Sequence, residues 1–380
     1  MLLLTSRAGT FKAREFSGAA NFQIQTKTMM TGKSLVSALG CLLLSSCVVS
    51  VSTSPFDEVP VARQVPTDAE LARAAAMLAP DATLYTTQTF DWHDDARKRS
   101  VPARLYMPAT GKNTTGTIPL VVFSHGLGGS RDSYKYLGRY FAANGYASLH
   151  LQHVGSDRQL WLGNPFSLLG RMNDAANDTE AIDRVRDLSF ALDQLFLSGA
   201  ATRLDAERII AAGHSYGANT SMLAAGAEVE RNGRMLRLRD PRIKAAILLS
   251  APPFYGSKDI ARILKGIEIP TLHITATEDD IAIPGYRSGL SDRLEVYQHI
   301  GNGHAAFKAL AVFKGGSHSV FTDRMGTGGI EMNPRIKAAT RDLALAFLNE
   351  LYAGDADALQ RWQSQNVSLI DRFDQKLAVR

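Results

Sequence analysis

The chain has 380 residues, of which 45% are hydrophobic and 21% are charged, a composition typical of globular proteins. Its formal net charge is +5, but residues 1–47 contain five basic side chains and one acidic one, which leaves 37 basic and 36 acidic side chains elsewhere. A nearly neutral body lacks the concentrated positive charge that binds phosphate backbones, so we expect no nucleic-acid partner.

The segment 29–47 has the organisation of a secretory signal, so translation is predicted to start at Met29 or Met30. A basic start precedes an apolar run that is too short for a comfortable membrane span. The run ends in Leu-Ser-Ser-Cys47, which resembles the bacterial lipobox, a signal that is cut before a lipidated cysteine. The alternative is an ordinary signal peptide in which Cys47 occurs by chance.

The leader interpretation gives residues 1–47 as a signal and Cys47 as the lipidation site that anchors the chain to a membrane. The expected location is the bacterial cell envelope, with Val48 favouring the outer membrane; otherwise the protein is periplasmic or secreted. Cys41 and Cys47 are the two cysteines of the chain. A body without thiols excludes a cysteine nucleophile and a cysteine metal site.

Residues 48–82 are predicted to form a tether and an N-terminal helix, capped by Thr67 and Asp68 and continuing over residues 69–78. Residues 83–90 and 101–107 have the pattern of two paired antiparallel strands. We expect residues 83–380 to form a single catalytic domain.

From residue 118 onward, short apolar runs alternate with helical patterns, which predicts a mainly parallel sheet covered by helices on both faces. The predicted fold class is therefore α/β. The strands are predicted at residues 118–123, 146–150, 208–212, 243–250, 269–275 and 309–314. The helices are predicted at residues 133–144, 178–197, 218–225 and 334–351, and the C-terminal tail is expected to add another helix. Three long excursions, 153–176, 226–242 and 251–267, separate these elements.

The sequence Gly213-His214-Ser215-Tyr216-Gly217 follows a β-prone run and precedes a run of small, helix-compatible residues. This context is the strand, tight turn and helix that a nucleophile elbow needs. Glycine on both sides of the serine relieves the collisions that side chains would make in so sharp a turn. We therefore predict Ser215 as a nucleophile.

A serine hydroxyl needs a histidine base and an orienting carboxylate, which follow it in that fold class in the order acid, then histidine. Asp280 follows a predicted strand and is favoured as the acid over its neighbour Asp279. His318 follows the next predicted strand and a glycine turn, so it is favoured as the base over His304, which no strand precedes.

The oxyanion that forms during acyl transfer needs two aimed N–H donors. We predict the backbone N–H of Tyr216, directly after the nucleophile, and that of Leu127, in a glycine-rich loop after a buried strand. No histidine pair has the spacing of a zinc protease, so a metal site is not expected. Four aromatic residues are candidates for the wall of an acyl pocket or for core positions: Trp161, Phe166, Phe254 and Tyr255.

Four segments together resemble the platelet-activating-factor acetylhydrolase-like and dienelactone-hydrolase-like branch of α/β-hydrolase serine esterases, over roughly residues 83–350. The segments are His125-Gly126-Leu127-Gly128-Gly129, residues 184–193, Gly213-His214-Ser215-Tyr216-Gly217-Ala218 and Gly315-Gly316-Ser317-His318. The resemblance implies an α/β-hydrolase fold and a cofactor-free carboxylic-ester hydrolase that uses Ser215, Asp280 and His318. Dienelactone hydrolases carry cysteine as the nucleophile, and the serine here argues against their reaction.

The expected activity is hydrolysis of small acyl or lipid-like esters through an acyl-enzyme intermediate. An amidase or peptidase is the alternative within the same chemistry, because both reactions pass through the same tetrahedral intermediate. The alternative from a different functional class is a non-catalytic, anchored binding protein. The presence of both Ser215 and His318 in order argues against it. Neither the acyl chain length nor the alcohol group follows from the sequence.

Overall fold

A computed structural model describes residues 67–109, 117–256, 259–283, 286–301, 307–324 and 332–376. The predicted leader with Met29, Met30 and Cys47, most of the tether, and the alternative base His304 lie outside the described residues. The signal, the lipid anchor and the cellular location therefore stay predictions.

The described residues contain thirteen β-strands, which we number in chain order. They are β1 (Tyr85–Asp94), β2 (Arg99–Pro108), β3 (Ile118–Ser124), β4 (Ala147–Leu151), β5 (Leu204–His214), β6 (Glu228–Arg231), β7 (Arg234–Arg237), β8 (Ile243–Leu249), β9 (Thr271–Glu278), β10 (Ile281–Ile283), β11 (Tyr286–Ser288), β12 (Lys308–Ser317) and β13 (Ile370–Lys376).

The same residues contain nine α-helices, joined in places by short 3-10 turns. They are α1 (Asp68–Leu78), α2 (Lys135–Ala143), α3 (Leu168–Ala175), α4 (Asp178–Leu197), α5 (Tyr216–Ala225), α6 (Ile260–Leu264), α7 (Leu290–His299), α8 (Met332–Tyr352) and α9 (Ala358–Asn366). Within these residues no helix is both long and apolar enough to cross a lipid bilayer.

Nine strands form one sheet in the order β1-β2-β4-β3-β5-β8-β9-β12-β13. In that order, each neighbouring pair from β4 to β12 is parallel, whereas the pairs β1–β2, β2–β4 and β12–β13 are antiparallel. Helices connect the parallel strands, as parallel pairing requires a crossover of a dozen or more residues. This mostly parallel, helix-covered sheet is the α/β-hydrolase fold, so the predicted fold class is confirmed.

The sheet separates two apolar cores, because alternate residues of each central strand point to opposite faces. In β3 every residue is buried, with Val121 and Phe123 on one face and Leu120 and Val122 on the other. Helices α2, α8 and α9 cover the first face, and helices α4 to α7 cover the second. The continuous apolar run in the sequence therefore indicates a strand that is buried on both sides.

The N-terminal helix begins where its cap was predicted. Thr67 Oγ1 accepts from the Glu70 backbone N–H at 3.3 Å, and the Glu70 carboxylate accepts from the Thr67 backbone N–H at 2.8 Å. This reciprocal capping box satisfies two N–H groups that would otherwise lack partners at the helix start.

The structure differs from the sequence prediction mainly in the connections. The excursion 226–242 contains the β6–β7 hairpin, the excursion 251–267 contains the short helix α6, and helix α7 was not predicted. The tail adds the expected helix α9, but it also adds β13, which was not predicted. In β13 the alternation of buried and exposed residues is weak, and the sequence is largely polar. An edge strand can have such a sequence because one of its two long edges has no neighbouring strand and faces solvent.

Helix α8 carries a lysine in its buried face. Lys337 is 0% exposed, and its Nζ donates to the backbone oxygen of Arg324 at 2.7 Å and to Oδ1 of Asn333. Burial lowers the pKa of Lys337 to about 7, against the opposing effect of the Asp323 carboxylate. The residue therefore binds a proton less tightly in the folded chain than in the unfolded chain.

This difference predicts how stability depends on pH. Between pH 7 and 10 the unfolded chain binds the Lys337 proton and the folded chain does not, so the free energy of unfolding should rise by up to about 1.4 kcal/mol per pH unit from this residue. Urea unfolding at pH 7.5 and 9.0 should show a smaller rise in Lys337→Met than in the wild type. Lys314→Met, at an exposed position, is the control. An equal rise in Lys337→Met and the wild type would contradict the prediction.

Candidate active site

The register of the sheet brings the ends of four strands together. Ser124 at the end of β3 pairs with Gly213 of β5, and Ser317 at the end of β12 pairs with Glu278 at the end of β9. Parallel strands end at the same edge of a sheet, which is where α/β folds place their sites. The segments that follow β3, β5, β9 and β12 carry Leu127, Ser215, Asp279 and His318.

The turn between β5 and α5 is as sharp as the elbow motif predicts. Ser215 has φ 56° and ψ −120°, a conformation that costs a non-glycine residue free energy. A Cβ atom on Gly217 would lie 1.9 Å from the backbone oxygen of Ser124, and one on Gly213 would lie 2.2 Å from the backbone oxygen of Gly217. The strained turn is therefore held between β3 and α5 by contacts that exclude side chains at both glycines.

A chain of hydrogen bonds joins Ser215, His318 and an acidic residue. His318 Nε2 lies 2.8 Å from Ser215 Oγ, and His318 Nδ1 lies 2.7 Å from Asp279 Oδ1. Because a carboxylate only accepts, Nδ1 carries the proton and Nε2 is left to accept from the serine hydroxyl. This order of serine, imidazole and carboxylate is the arrangement needed to remove a proton from Ser215.

The prediction of Asp280 as the acid is wrong, because the carboxylate that contacts His318 is that of the alternative, Asp279. Asp279 is 0% exposed and contacts His318, whereas Asp280 is exposed and its Oδ1 lies against the backbone of Gly289. The two carboxylates follow β9 directly, where the chain turns: the Asp279 N–H donates to the backbone oxygen of Ala276 at 3.2 Å and the Asp280 N–H to that of Glu278 at 2.9 Å. The sequence identified the pair, but the direction in which the chain leaves β9 selects one member.

The Asp279 carboxylate has a partner besides His318 that the sequence did not indicate. Arg293 of α7 is 2% exposed, and its Nη2 lies 3.6 Å from Asp279 Oδ1, while Thr275 Oγ1 donates to Oδ2 at 2.7 Å. Burial alone would raise the pKa of Asp279, but the His318 hydrogen bond and the charges of His318 and Arg293 together hold it well below its ordinary value. Asp279 is therefore ionised at neutral pH.

His214, inside the elbow, contacts the backbone of His318. Its Nε2 donates to the backbone oxygen of His318 at 2.9 Å, and its Nδ1 accepts from the Tyr134 hydroxyl at 2.8 Å. Burial and the neighbouring His318 lower the pKa of His214 to about 3, so its ring is neutral in this arrangement. His214 is thus a second histidine at the site. Its ring bonds to the backbone of His318 and to Tyr134 and does not belong to the series of hydrogen bonds that starts at Ser215.

The two N–H groups predicted as oxyanion donors are available in the structure. Among the described residues, no backbone hydrogen bond from Leu127 or Tyr216 is formed. Tyr216 is the first residue of α5, and the first N–H groups of a helix have no partner within it. Leu127 lies in the loop after β3, which the register places beside the elbow.

The excursion after β4 holds the Leu127 loop in place. Gly128 N–H donates to the backbone oxygen of Ser156 at 2.8 Å, and the Trp161 indole N–H donates to the backbone oxygen of Gly128 at 3.0 Å. Gly128 has φ 75°, and a Cβ atom there would lie 2.1 Å from Trp161 Nε1. The excursion therefore fixes the loop with bonds to both sides of one glycine.

The four aromatic candidates for a pocket wall occupy different environments. Trp161 is 48% exposed, Phe166 is 98% exposed and Tyr255 is 66% exposed, whereas Phe254 packs against the core. The exposed three lie on loops that follow β4 and β8, at the same edge of the sheet as Ser215. These three side chains expose apolar surface on loops at that edge, whereas Phe254 packs against the core.

The other histidines near the site are buried and already bonded. His125 Nδ1 donates to the backbone oxygen of Gly126 at 2.7 Å, and its Nε2 accepts from the His153 backbone N–H at 3.1 Å. Burial holds the pKa of the His125 ring and that of the His153 ring well below the ordinary value of histidine. Within the described residues, no group of three or more histidine, cysteine, aspartate or glutamate side chains is arranged to hold a metal ion.

Comparison with known families gives one match. Residues 98–158 match the family described as platelet-activating factor acetylhydrolase, isoform II. No curated protein matches the chain. The matched segment includes β3, the Leu127 loop and β4, but it ends before Ser215, Asp279 and His318. At the level of a family, the similarity supports a serine ester hydrolase.

The close contact at Gly217 predicts a sharp sensitivity to one methyl group. Gly217→Ala should lower the free energy of unfolding by about 3 kcal/mol or more, because the new Cβ meets the backbone of Ser124 and neither strand nor helix can move freely. Urea unfolding of the two proteins measures the difference.

Gly170→Ala is the matched control, since no heavy atom lies within 4 Å of a Cβ atom at that position of α3. It should leave stability unchanged or raise it by about 0.5–1 kcal/mol through the helix preference of alanine. Equal unfolding midpoints for the two alanine variants would refute the proposed close contact at the elbow.

Proposed function

We propose that the chain is a serine carboxylic-ester hydrolase in which Ser215 is the nucleophile, His318 the general base and Asp279 the orienting carboxylate. The observation that carries the proposal is the unbroken series of short hydrogen bonds from Ser215 Oγ through the His318 ring to Asp279 Oδ1. The strained elbow at Ser215 and the family match over residues 98–158 support it independently.

In the first half of the proposed reaction, Ser215 Oγ attacks the ester carbonyl carbon while its proton passes to His318 Nε2. The negative charge that develops on the carbonyl oxygen is accepted by the backbone N–H groups of Leu127 and Tyr216. The tetrahedral intermediate then collapses, the bond to the alcohol oxygen breaks, and His318 Nε2 returns the proton to that oxygen. An acyl group is left on Ser215.

In the second half, water replaces the alcohol and the same groups act again. His318 Nε2 takes a proton from water as its oxygen attacks the acyl carbon, and the same two N–H groups accept the new oxyanion. Collapse breaks the bond to Ser215 Oγ, which regains its proton from His318, and the carboxylic acid leaves. Asp279 stays ionised throughout and stabilises the imidazolium that forms in each half.

The exposed apolar side chains of the excursion after β4 support an apolar acyl substrate. Trp161, Leu162, Phe166 and Leu169 are between 46% and 98% exposed, and all lie on the excursion that contacts the Leu127 loop. Large apolar side chains that are clustered and exposed mark binding surfaces, because burying them against an apolar ligand is favourable. We therefore propose lipid-like or small acyl esters as the substrate class.

The first test is hydrolysis of p-nitrophenyl esters from acetyl to palmitoyl by the purified protein. Ser215→Ala should lower kcat by at least about 10⁴-fold, because no other group can form the acyl-enzyme. Ser189→Ala, whose native hydroxyl donates to Asp240, is the matched control and should keep wild-type kcat. Matched anilides, assayed beside the esters, separate an esterase from an amidase. Full activity in Ser215→Ala would reject the proposal.

The second test distinguishes two neighbouring acids. Asp279→Asn should lower kcat by about 10³–10⁴-fold, because an amide can hold His318 in the wrong tautomer and cannot stabilise the imidazolium. Asp280→Asn should change kcat less than threefold, since the exposed Asp280 does not contact His318. Thermal unfolding of both variants controls for folding. Similar losses of kcat in the two variants would contradict the assignment of Asp279.

A further inference from the structure

One buried cation contacts both segments that carry the proposed oxyanion donors, the Leu127 loop and the start of α5. Arg184 lies in α4 and is 0% exposed. Its Nη2 donates to the backbone oxygen of His125 at 2.5 Å, and its Nη1 donates to Ser156 Oγ at 2.7 Å. His125 stands two residues before Leu127, so the first bond holds the loop that presents the Leu127 N–H.

The remaining donor and the flat face of the guanidinium reach the other half of the site. Arg184 Nε donates to Thr220 Oγ1 at 2.9 Å, and the same hydroxyl donates to the backbone oxygen of Tyr216 at 3.1 Å. The guanidinium carbon lies 4.4 Å from the centre of the Tyr216 ring, within the range of a cation–π contact. Arg184 therefore contacts Tyr216 through its ring and, by way of Thr220, through its carbonyl group.

The chemistry of arginine suits this position better than that of any other side chain. Its planar guanidinium presents several donors in fixed directions, so bonds to three separate segments also fix the spacing of those segments. A fully buried cation costs free energy unless its donors are satisfied. Each nitrogen of Arg184 has a partner, and the Glu180 carboxylate, which accepts from Ser156 Oγ at 2.7 Å, supplies negative charge nearby.

We propose that Arg184 is a positioning residue that fixes the distance between the Leu127 and Tyr216 N–H groups, so that both point at one oxyanion. This inference rests on the proposed function, because it concerns the transition state of that reaction. A pair of N–H donors stabilises a transition state only while both lie within hydrogen-bond distance of the same oxygen. Arg184 contributes to catalysis through the backbone that it holds and does not touch the substrate.

The test compares Arg184→Met and Arg184→Lys with the wild type. Both variants should lower kcat by about 10- to 100-fold and leave KM within about twofold, because the oxyanion forms after substrate binds. The inhibition constant of a trifluoromethyl ketone, whose adduct with Ser215 carries an oxyanion, should rise by the same factor as kcat falls. A purely structural role would lower the amount of folded protein without changing that constant for the folded fraction.

Arg97→Met is the matched control, since Arg97 belongs to the neighbouring ion pairs with Asp94, Asp183 and Asp187 but contacts neither oxyanion loop. It should keep wild-type kcat and the wild-type inhibition constant even if its unfolding temperature falls. Wild-type values of both in a folded Arg184→Met, or a loss of kcat without a change in the inhibition constant, would overturn the inference.

Thr220→Val provides the test if the Arg184 variants do not fold, because it removes one bond of Arg184 and keeps the shape of the side chain. It should lower kcat and weaken the ketone by about threefold to tenfold, and unchanged values would overturn the inference. A wild type without Ser215-dependent ester hydrolysis would instead reject the proposed function. In that case the rate at which a fluorophosphonate labels Ser215 in the wild type and in Arg184→Met still decides the role of Arg184: a slower rate in the variant supports it and an equal rate overturns it.

Discussion

The geometry of the site depends on the close contact between the elbow and the end of β3. Gly217 lies so near the Ser124 carbonyl group that a single Cβ atom would not fit. The contact fixes the strained Ser215 against the loop that begins at His125, and thereby sets the proposed nucleophile and one proposed oxyanion donor relative to each other. Close packing of this kind has few alternative arrangements, because protein interiors are as dense as organic crystals.

Around that contact, buried polar groups contact the side chains of the candidate site. His214 Nε2 donates to the backbone oxygen of His318, Arg293 and Thr275 lie beside the Asp279 carboxylate, and Arg184 contacts both the Leu127 loop and α5. The polar side-chain atoms of His214, Thr275 and Arg184 have hydrogen-bond partners, as buried polar groups usually do to avoid a large desolvation cost, whereas Arg293 Nη2 faces Asp279 as an ion pair without a hydrogen bond. The candidate site is therefore held by charged and polar contacts as well as by the packing of its strands.

Sequence patterns predicted the sheet and two of the three hydrogen-bonded side chains, since the strand run and the glycines around Ser215 and His318 are local signals. They could not select Asp279 over Asp280, because the difference lies in the direction of the chain after β9. They also missed Arg184 and Arg293. Both arginines lie on helices in ordinary amphipathic patterns, and their roles come from contacts with residues that are distant in sequence.

The last strand of the sheet, β13, covers the outer edge of β12, the strand that directly precedes His318. Strand β12 pairs on one side with β9 and on the other with β13, so its backbone N–H and carbonyl groups are satisfied along both edges. Without β13, β12 would become an open edge able to pair with another copy of the chain. Strand β13 thus moves the open edge of the sheet from β12, which directly precedes His318, to a largely polar strand, and a polar edge is less prone to pair with another copy of the chain.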